Sequence, residues 1–259
     1  MQATLRVTFL LAGNTVRELV RSKLLYNLLV FAVLLIGSSM FVAQLTIGQW
    51  DRIILDMGLA AIEVSGLLTS VLIGVGLLTN EIDRRTVLPT LAKPVSRASF
   101  LLGRYLGLLS VLVVNVLVML AVLAGVLHLT GYSLPPVALQ AALLIFIELT
   151  LLSALAVFFA SFSTTMLASG YALSMFLIGH LLGDLKAFGE RSHSEFTKAV
   201  THFFYLLLPD LELLNLKAHA ASGLAVPWEG VLWAAAYGLA YSVVVLVLST
   251  AIFSRRDLR

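Results

Sequence analysis

The chain has 259 residues, of which 60% are hydrophobic and only 12% charged, and its mean hydropathy is +1.01. Soluble domains carry about 25% charged residues, and a surface made from half that share would expose large apolar patches to water, so the consistent solvent is lipid and the chain reads as an integral membrane protein. The net charge of +3 is dispersed between apolar runs, which argues against nucleic-acid binding, and the lack of cysteine excludes disulfides, thiolate metal sites and cysteine nucleophiles.

In chain order, residues 1–23 come first. Leu5, Phe9, Ala12, Val16 and Leu19 recur at helical spacing, while Arg6, Asn14, Arg17 and Arg21 fall on the opposite side. This is an amphipathic helix on the cytoplasmic side, either lying in the interface with its cations near anionic headgroups or extending the first span. A span needs about 20 apolar residues to cross about 30 Å of hydrocarbon. The runs that qualify are Leu24–Leu45, Met57–Thr79, Tyr105–Thr130, Val137–Ala160, Met166–Leu182 and Gly230–Phe253. The first is too long for a signal-peptide core and lacks a cleavage site, so it is read as a retained helix. The fifth is the shortest, separated from the fourth only by residues 161–165.

Loop parity sorts the basic residues. Twelve Lys and Arg fall on the side of both termini and the loop after the second span, against five on the other side, which places that first side in the cytoplasm. The outer segment, 183–227, mixes charges with a short apolar stretch, Phe203–Leu208, that stops at Pro209 and Asp210. Too short to cross, that stretch suits a re-entrant or interfacial turn. The expected fold is therefore one all-α membrane domain over 1–259, with six transmembrane helices, an amphipathic N-terminal helix, a cytoplasmic loop at 80–104 and a long outer segment between helices five and six.

Few residues carry chemistry. No lysine follows a glycine, so there is no Walker A motif and any nucleotide dependence must come from a partner. The histidines, His128, His180, His193, His202 and His219, lie toward the outer side without metal-ligand spacing, so no metal site is expected short of tertiary convergence. Glu63 and Glu148 fall inside spans and must face protein or water, since a charge at the centre of a span costs roughly 2.5–3.5 kcal/mol. The helical neighbours of Glu148 are apolar, so its partner has to come from another helix. It reads either as a substrate or proton-relay group or as a neutral, hydrogen-bonded packing residue. Asn115 lies at comparable depth. Gly66, Ser70 and Gly74 repeat every four residues and admit a close helix contact, within the subunit or between copies.

The loop after the second span is the richest stretch. Glu81 and Arg85 are four apart, so the helix can run past the membrane with an internal ion pair, and Pro89 and Pro94 then impose a rigid exposed turn. A positive-inside anchor needs only the charge, whereas the prolines and the acid–base spacing fit a shaped plug that docks into another protein. The run Glu81-x-x-Arg84-Arg85-Thr86, then Leu91-x-Lys93-Pro94-Val95-Ser96-Arg97 and Gly103-Arg104, resembles the first cytoplasmic loop of type-2 ABC transporter permeases. The pattern is closest to the permease subunit of nitrous-oxide-reductase maturation and to gliding-motility permeases. Glu148 with Leu152-Ser153-Ala154-Leu155-Ala156 and Phe159-Ala160-Ser161-Phe162 resembles the family's fourth span. Leu208-Pro209-Asp210-Leu211-Glu212 with Asn215-Leu216 resembles its outer segment, with Asp210 where asparagine is expected, and Arg255-Arg256-Asp257-Leu258 resembles its cytoplasmic end.

This resemblance implies a permease half in a prokaryotic inner membrane, paired with a second copy and two ATP-binding subunits that hold ATP and Mg. Glu81, Arg84, Arg85, Thr86, Pro89, Lys93 and Pro94 would form the coupling element. No catalytic residue or cofactor is expected in the chain itself. A periplasmic or envelope partner fits a mechanical role, and a pathway nearly free of fixed charge leans toward an apolar or amphipathic substrate. The rival readings are a proton-coupled secondary transporter working through Glu148, which lacks the paired broken-helix repeat such folds carry, and a non-transporting scaffold of an envelope machine.

Overall fold

The computed structural model describes residues 2–45, 49–83, 96–192 and 194–255. Among them the chain is helical: α1 (Gln2–Val20), α2 (Lys23–Gln44), α3 (Trp50–Leu68) continuing through a π turn (Thr69–Ile73) into α4 (Gly74–Asp83), α5 (Arg97–Leu129), α6 (Pro136–Ala160), α7 (Thr165–Arg191), α8 (Glu195–Leu207), a 3-10 turn (Glu212–Leu214), α9 (Lys217–Ser222) and α10 (Trp228–Arg255). Six of the helical stretches are long and apolar enough to cross a membrane: Lys23–Gln44, Trp50–Thr79, Arg97–Leu129, Pro136–Ala160, Thr165–Arg191 and Trp228–Arg255. The architecture is the expected all-α one with six candidate spans. The fifth is longer than its apolar run, because α7 continues through the charged residues Asp184, Lys186 and Glu190 to Arg191.

The axis of the bundle is α6, apolar on every side and wrapped by α3, α5, α7, α9 and α10. A helix hydrophobic all round belongs inside, whereas α2 and α10 keep one face outward, with Leu34, Phe41, Trp233 and Val247 exposed as lipid-facing helices require. The approach of α3 and α4 to α6 runs along Gly66, Ser70 and Gly74, so the small-residue stripe is a contact within the subunit. A Cβ on Gly66 would fall 2.2 Å from Leu149 Cδ1, Ser70 Oγ donates to the Leu149 carbonyl at 3.4 Å, and a Cβ on Gly74 would lie 3.3 Å from the Ala156 Cβ. In an unbroken α-helix, positions four apart drift by about 40°, so Gly66 and Gly74 would diverge by about 80°. The π turn between them takes more residues per turn and returns Gly74 to the face that meets α6.

The helix α1 packs on α5 through part of the stripe its periodicity suggests, Ala12, Val16 and Leu19, but rotated so that Thr8 and Thr15 join it and Phe9 does not. Thr8, Ala12, Thr15 and Leu19 are buried, while Phe9 is 68% exposed. Gly103 and Gly107 of α5 explain the rotation: a Cβ there would meet Leu11 Cβ at 2.7 Å and Thr15 Cβ at 2.5 Å, so the missing side chains let this face of α1 approach. Phe9 and Leu10 are left facing outward, in line with lipid contact at the interface.

The segment 183–227 also departs from expectation. Its apolar stretch, Phe203–Leu208, is the end of the amphipathic helix α8 and stays at the surface. The part that re-enters the bundle comes after it: residues 209–222 pack among α3, α6, α7 and α10, with Leu211, Leu214 and Ala220 completely buried. This plug is pinned where the Leu211 N–H donates to the Gly179 carbonyl at 3.1 Å and the Asp210 N–H donates to the Tyr237 hydroxyl at 2.9 Å.

Gly179 leaves no room for a side chain, since a Cβ would stand 2.6 Å from Leu211 Cγ and 3.0 Å from the Pro209 carbonyl oxygen. Gly179→Val is expected to destabilise the protein by about 1–3 kcal/mol through overpacking, whereas Gly183→Ala on the same helix meets open space and is expected to be silent. Thermal unfolding of the two purified variants checks this, and equal midpoints would remove the plug from its seat.

Candidate functional site

Beneath the plug, four elements bring four ionisable groups together. α3 supplies Glu63 (2% exposed), α6 supplies Glu148 (1% exposed), α7 supplies His180 and α9 supplies Lys217. The fit of Leu149 against Gly66 fixes the register of α6 on α3, and so sets Glu148 in the neighbourhood of Glu63. The Lys217 ammonium donates to Glu63 Oε2. The other oxygen, Oε1, lies 3.4 Å from His180 Nε2, which is itself 3.7 Å from Glu148 Oε1. His180 Nδ1 sits 3.1 Å from the Phe176 carbonyl oxygen, and the ring leans on the Phe176 ring at 4.6 Å. Among the described residues, neither Glu148 Oε1 nor His180 Nε2 has a hydrogen-bond partner. Burying such atoms unmatched costs free energy, so this is the least satisfied polar region of the core.

The two carboxylates singled out from the sequence therefore meet, but the expectation of a Glu148 hydrogen-bonded for packing is not what its Oε1 displays, and the interior is not nearly free of charge. Asn115 belongs elsewhere: its Nδ2 donates to Thr69 Oγ1 at 3.4 Å, and Thr69 in turn donates to the Ser65 carbonyl at 2.8 Å, so Asn115 supports the π turn. Of the coupling residues, Arg84, Arg85, Thr86, Pro89, Lys93 and Pro94 lie outside the described residues. Glu81 falls within the backbone of α4, with its side chain outside the description. His180 and Lys217 escaped the sequence reading as site residues. His180 looked like one more histidine near an outer helix end, and Lys217 is 154 residues away from the carboxylate it neutralises. The pattern along the chain offers no metal-ligand set, yet folding places one oxygen of Glu63, one of Glu148 and a ring nitrogen of His180 within 4.8 Å of one another.

The opposite end of the bundle is organised by α5, which begins at Arg97 and so shortens the expected loop of 80–104. Ser96 caps it, its Oγ accepting from the Ser99 N–H at 3.1 Å. Arg97 donates to the carbonyls of Phe253 and Ser254 at 2.9 and 3.3 Å, a cation at the C-terminal end of α10 where the helix dipole favours one. Two turns further on, Arg104 pairs with Glu18 of α1 at 2.6 Å and donates to Thr15 Oγ1 at 3.3 Å. The helix that leaves the loop thus grips both α1 and α10.

Six apolar helices, a polar cluster at membrane depth and a buried plug define a multi-pass membrane protein of the permease type. The chain belongs to a known family: the family model described as ABC-2 family transporter protein matches residues 10–258, nearly its whole length. It is accordingly the membrane permease component of an ABC transporter, a class whose work depends on an ATP-binding partner. No curated protein matches the chain.

Two expectations follow from the site. Lys217→Met leaves Glu63 buried without its counter-charge and is expected to cost about 3–5 kcal/mol, while the double change with Glu63→Gln recovers most of that loss. Thermal unfolding of the three variants reads the difference, and simple additivity would mean that the pair is not coupled. Asp210, in the plug and outside the spans, provides a pH test. Burial pushes its carboxyl above the ordinary range, against the N–H groups of Glu212 and Leu213 that pull it down. The folded state therefore holds the proton more tightly than the unfolded chain, and stability present at low pH is lost as pH rises through that window. Asp210→Asn keeps an acceptor for the Glu212 N–H, bonded at 3.1 Å, and removes the titration. Its stability relative to wild type is expected to grow from about pH 4 upward; a pH-independent difference would refute the assignment.

Proposed function

We propose that the chain is one permease half of an ATP-driven exporter in a prokaryotic inner membrane, working as a pair of identical halves with two separate ATP-binding subunits. The observation that carries the reading is the family match over residues 10–258 on a chain with six candidate spans. Because no lysine follows a glycine, ATP and its Mg are held by the partner, and this chain contributes the path and its movement. Both termini and the loop around residues 84–95 face the cytoplasm, as the basic count of twelve against five requires. The plug and its ionic cluster then stand at the outer side of the path.

In this reading Arg84, Arg85, Thr86, Pro89, Lys93 and Pro94, together with Glu81, form the element that enters the ATP-binding subunit. Closure of the ATPase pair displaces this element, and two arms carry the displacement into the membrane. One is α4, which leads through the π turn to Glu63. The other is α5, whose Arg97 and Arg104 hold α10 and α1. Coupling of this kind needs contacts that differ between two states, and a buried ion cluster supplies a cost for leaving one of them. The interior charge disfavours an apolar pathway at the plug end.

The test is co-purification of the ATP-binding subunit and its ATPase rate with and without the permease. Arg85→Lys keeps the cytoplasmic charge but loses a bidentate fork, and Pro89→Ala loosens the turn, so stimulation of the ATPase is expected to fall several-fold with insertion unchanged. Unchanged stimulation in both variants would reject the coupling role. Cysteine labelling checks orientation, since the chain has no cysteine of its own: Ser96→Cys is expected to react from the cytoplasm only and Ser194→Cys from outside only.

A further inference from the structure

We propose that Glu63, Glu148 and His180 form a binding site for a divalent transition-metal ion of the zinc class, held between α3, α6 and α7 beneath the plug. The donors come from three different helices, and their ligand atoms all lie within 4.8 Å of one another. Around a tetrahedral zinc with bonds of about 2.0–2.2 Å, neighbouring donors stand roughly 3.4 Å apart. His180 Nε2 lies 3.4 Å from Glu63 Oε1 and 3.7 Å from Glu148 Oε1, close to that spacing.

The surroundings are those of a ligand set. His180 Nδ1 lies 3.1 Å from the Phe176 carbonyl oxygen, so this nitrogen carries a proton and donates, and Nε2 faces the two carboxylates, where the neutral ring would offer its lone pair to a cation. A metal-bound histidine is held in the same way, its second nitrogen donating to a backbone carbonyl or carboxylate that fixes the tautomer. Lys217 donates to Glu63 Oε2 and leaves Oε1 as a single donor facing the cluster. Glu148 Oε1 and His180 Nε2, both buried, have no hydrogen-bond partner among the described residues and stand 3.7 Å apart. With neutral His180, two carboxylates and one ammonium leave a negative charge at membrane depth, which a cation bound among them offsets.

The donor chemistry selects the ion. One imidazole nitrogen and two carboxylate oxygens suit zinc, whereas magnesium and calcium prefer oxygen alone and copper(I) prefers sulfur. The chain has no cysteine, and no methionine belongs to the set. Such an ion would tie three spans together at the level where Lys217 anchors the plug.

The experiment uses the full-length chain purified without a histidine tag, stripped with chelator and reloaded with zinc. Expected are one zinc per chain by elemental analysis and an X-ray absorption spectrum with only nitrogen and oxygen neighbours at about 2.0–2.2 Å. Glu148→Gln and His180→Ala are each expected to weaken zinc affinity at least tenfold in calorimetric titration, and His219→Ala, outside the cluster, to leave it unchanged. Absence of stoichiometric zinc in the wild type, or equal affinity in Glu148→Gln, His180→Ala and His219→Ala, would overturn the proposal and leave an ion network neutralised by a protonated His180. If a variant fails to fold, the wild-type absorption spectrum still decides. Zinc binding needs no ATPase, so its failure is separable from failure of the transport reading.

Discussion

A polar group in hydrocarbon has no water to fall back on, and this constraint organises the molecule around one pairing, Lys217 on Glu63. Glu63 is buried in a span and Lys217 belongs to a segment that does not span. Their contact obliges the chain between α8 and α10 to enter the bundle, because the ammonium can reach the carboxylate only from within. The backbone of the plug then needs its own partners at depth, which it finds in the Gly179 carbonyl and the Tyr237 hydroxyl. Irregular backbone survives there because these protein groups satisfy it.

Close approach is what makes these partners reachable. Without a hydrophobic force to gather helices in lipid, packing at small residues sets the contacts, and glycines mark them. Gly66 admits Leu149, Gly179 admits Leu211, Gly238 admits Ile147, and Gly107 admits Thr15. Each contact also sets a register: the first places Glu148 near Glu63, the second seats the plug, and the last turns α1 so that its small residues, not Phe9, meet α5. The π turn of the second span belongs to the same logic, since without it the small-residue stripe would wind away from α6 after one turn.

Much of this was legible in the chain. The spans were, because about 20 apolar residues in a row leave a signal that no tertiary context reverses. Glu63 and Glu148 were, because ionisable residues inside such runs are rare and need partners. Their partners were not. His180 has no local feature that separates it from His128, which stays exposed, and Lys217 follows a short, charge-mixed segment whose periodicity is too brief to read. The plug was misplaced by one element for the same reason. Phe203–Leu208 has the stronger hydropathy, yet it ends a surface helix, whereas 209–222 seats Leu211, Leu214 and Ala220 among its partners while Leu213 and His219 stay exposed. The rotation of α1 was hidden as well, since it depends on the absence of side chains at Gly103 and Gly107 of another helix.

Position along the second span joins the two ends of the molecule. Glu63 lies on one side of the π turn and Asp83 on the other, so a rotation transmitted along this helix passes through Thr69–Ile73 to reach Glu63. A π turn inside an α-helix is rare and frequently marks a functional site. Asn115 and Ser70 hold it in its present register through Thr69 Oγ1 and the Leu149 carbonyl. Leu149 is also the residue that fills the space over Gly66 and follows Glu148 in sequence. A shift at the π turn would therefore alter the seat of Leu149 and the spacing of the two carboxylates together. The end of α4 and the buried charges need no separate device to connect them, because the same helix contact bears on both.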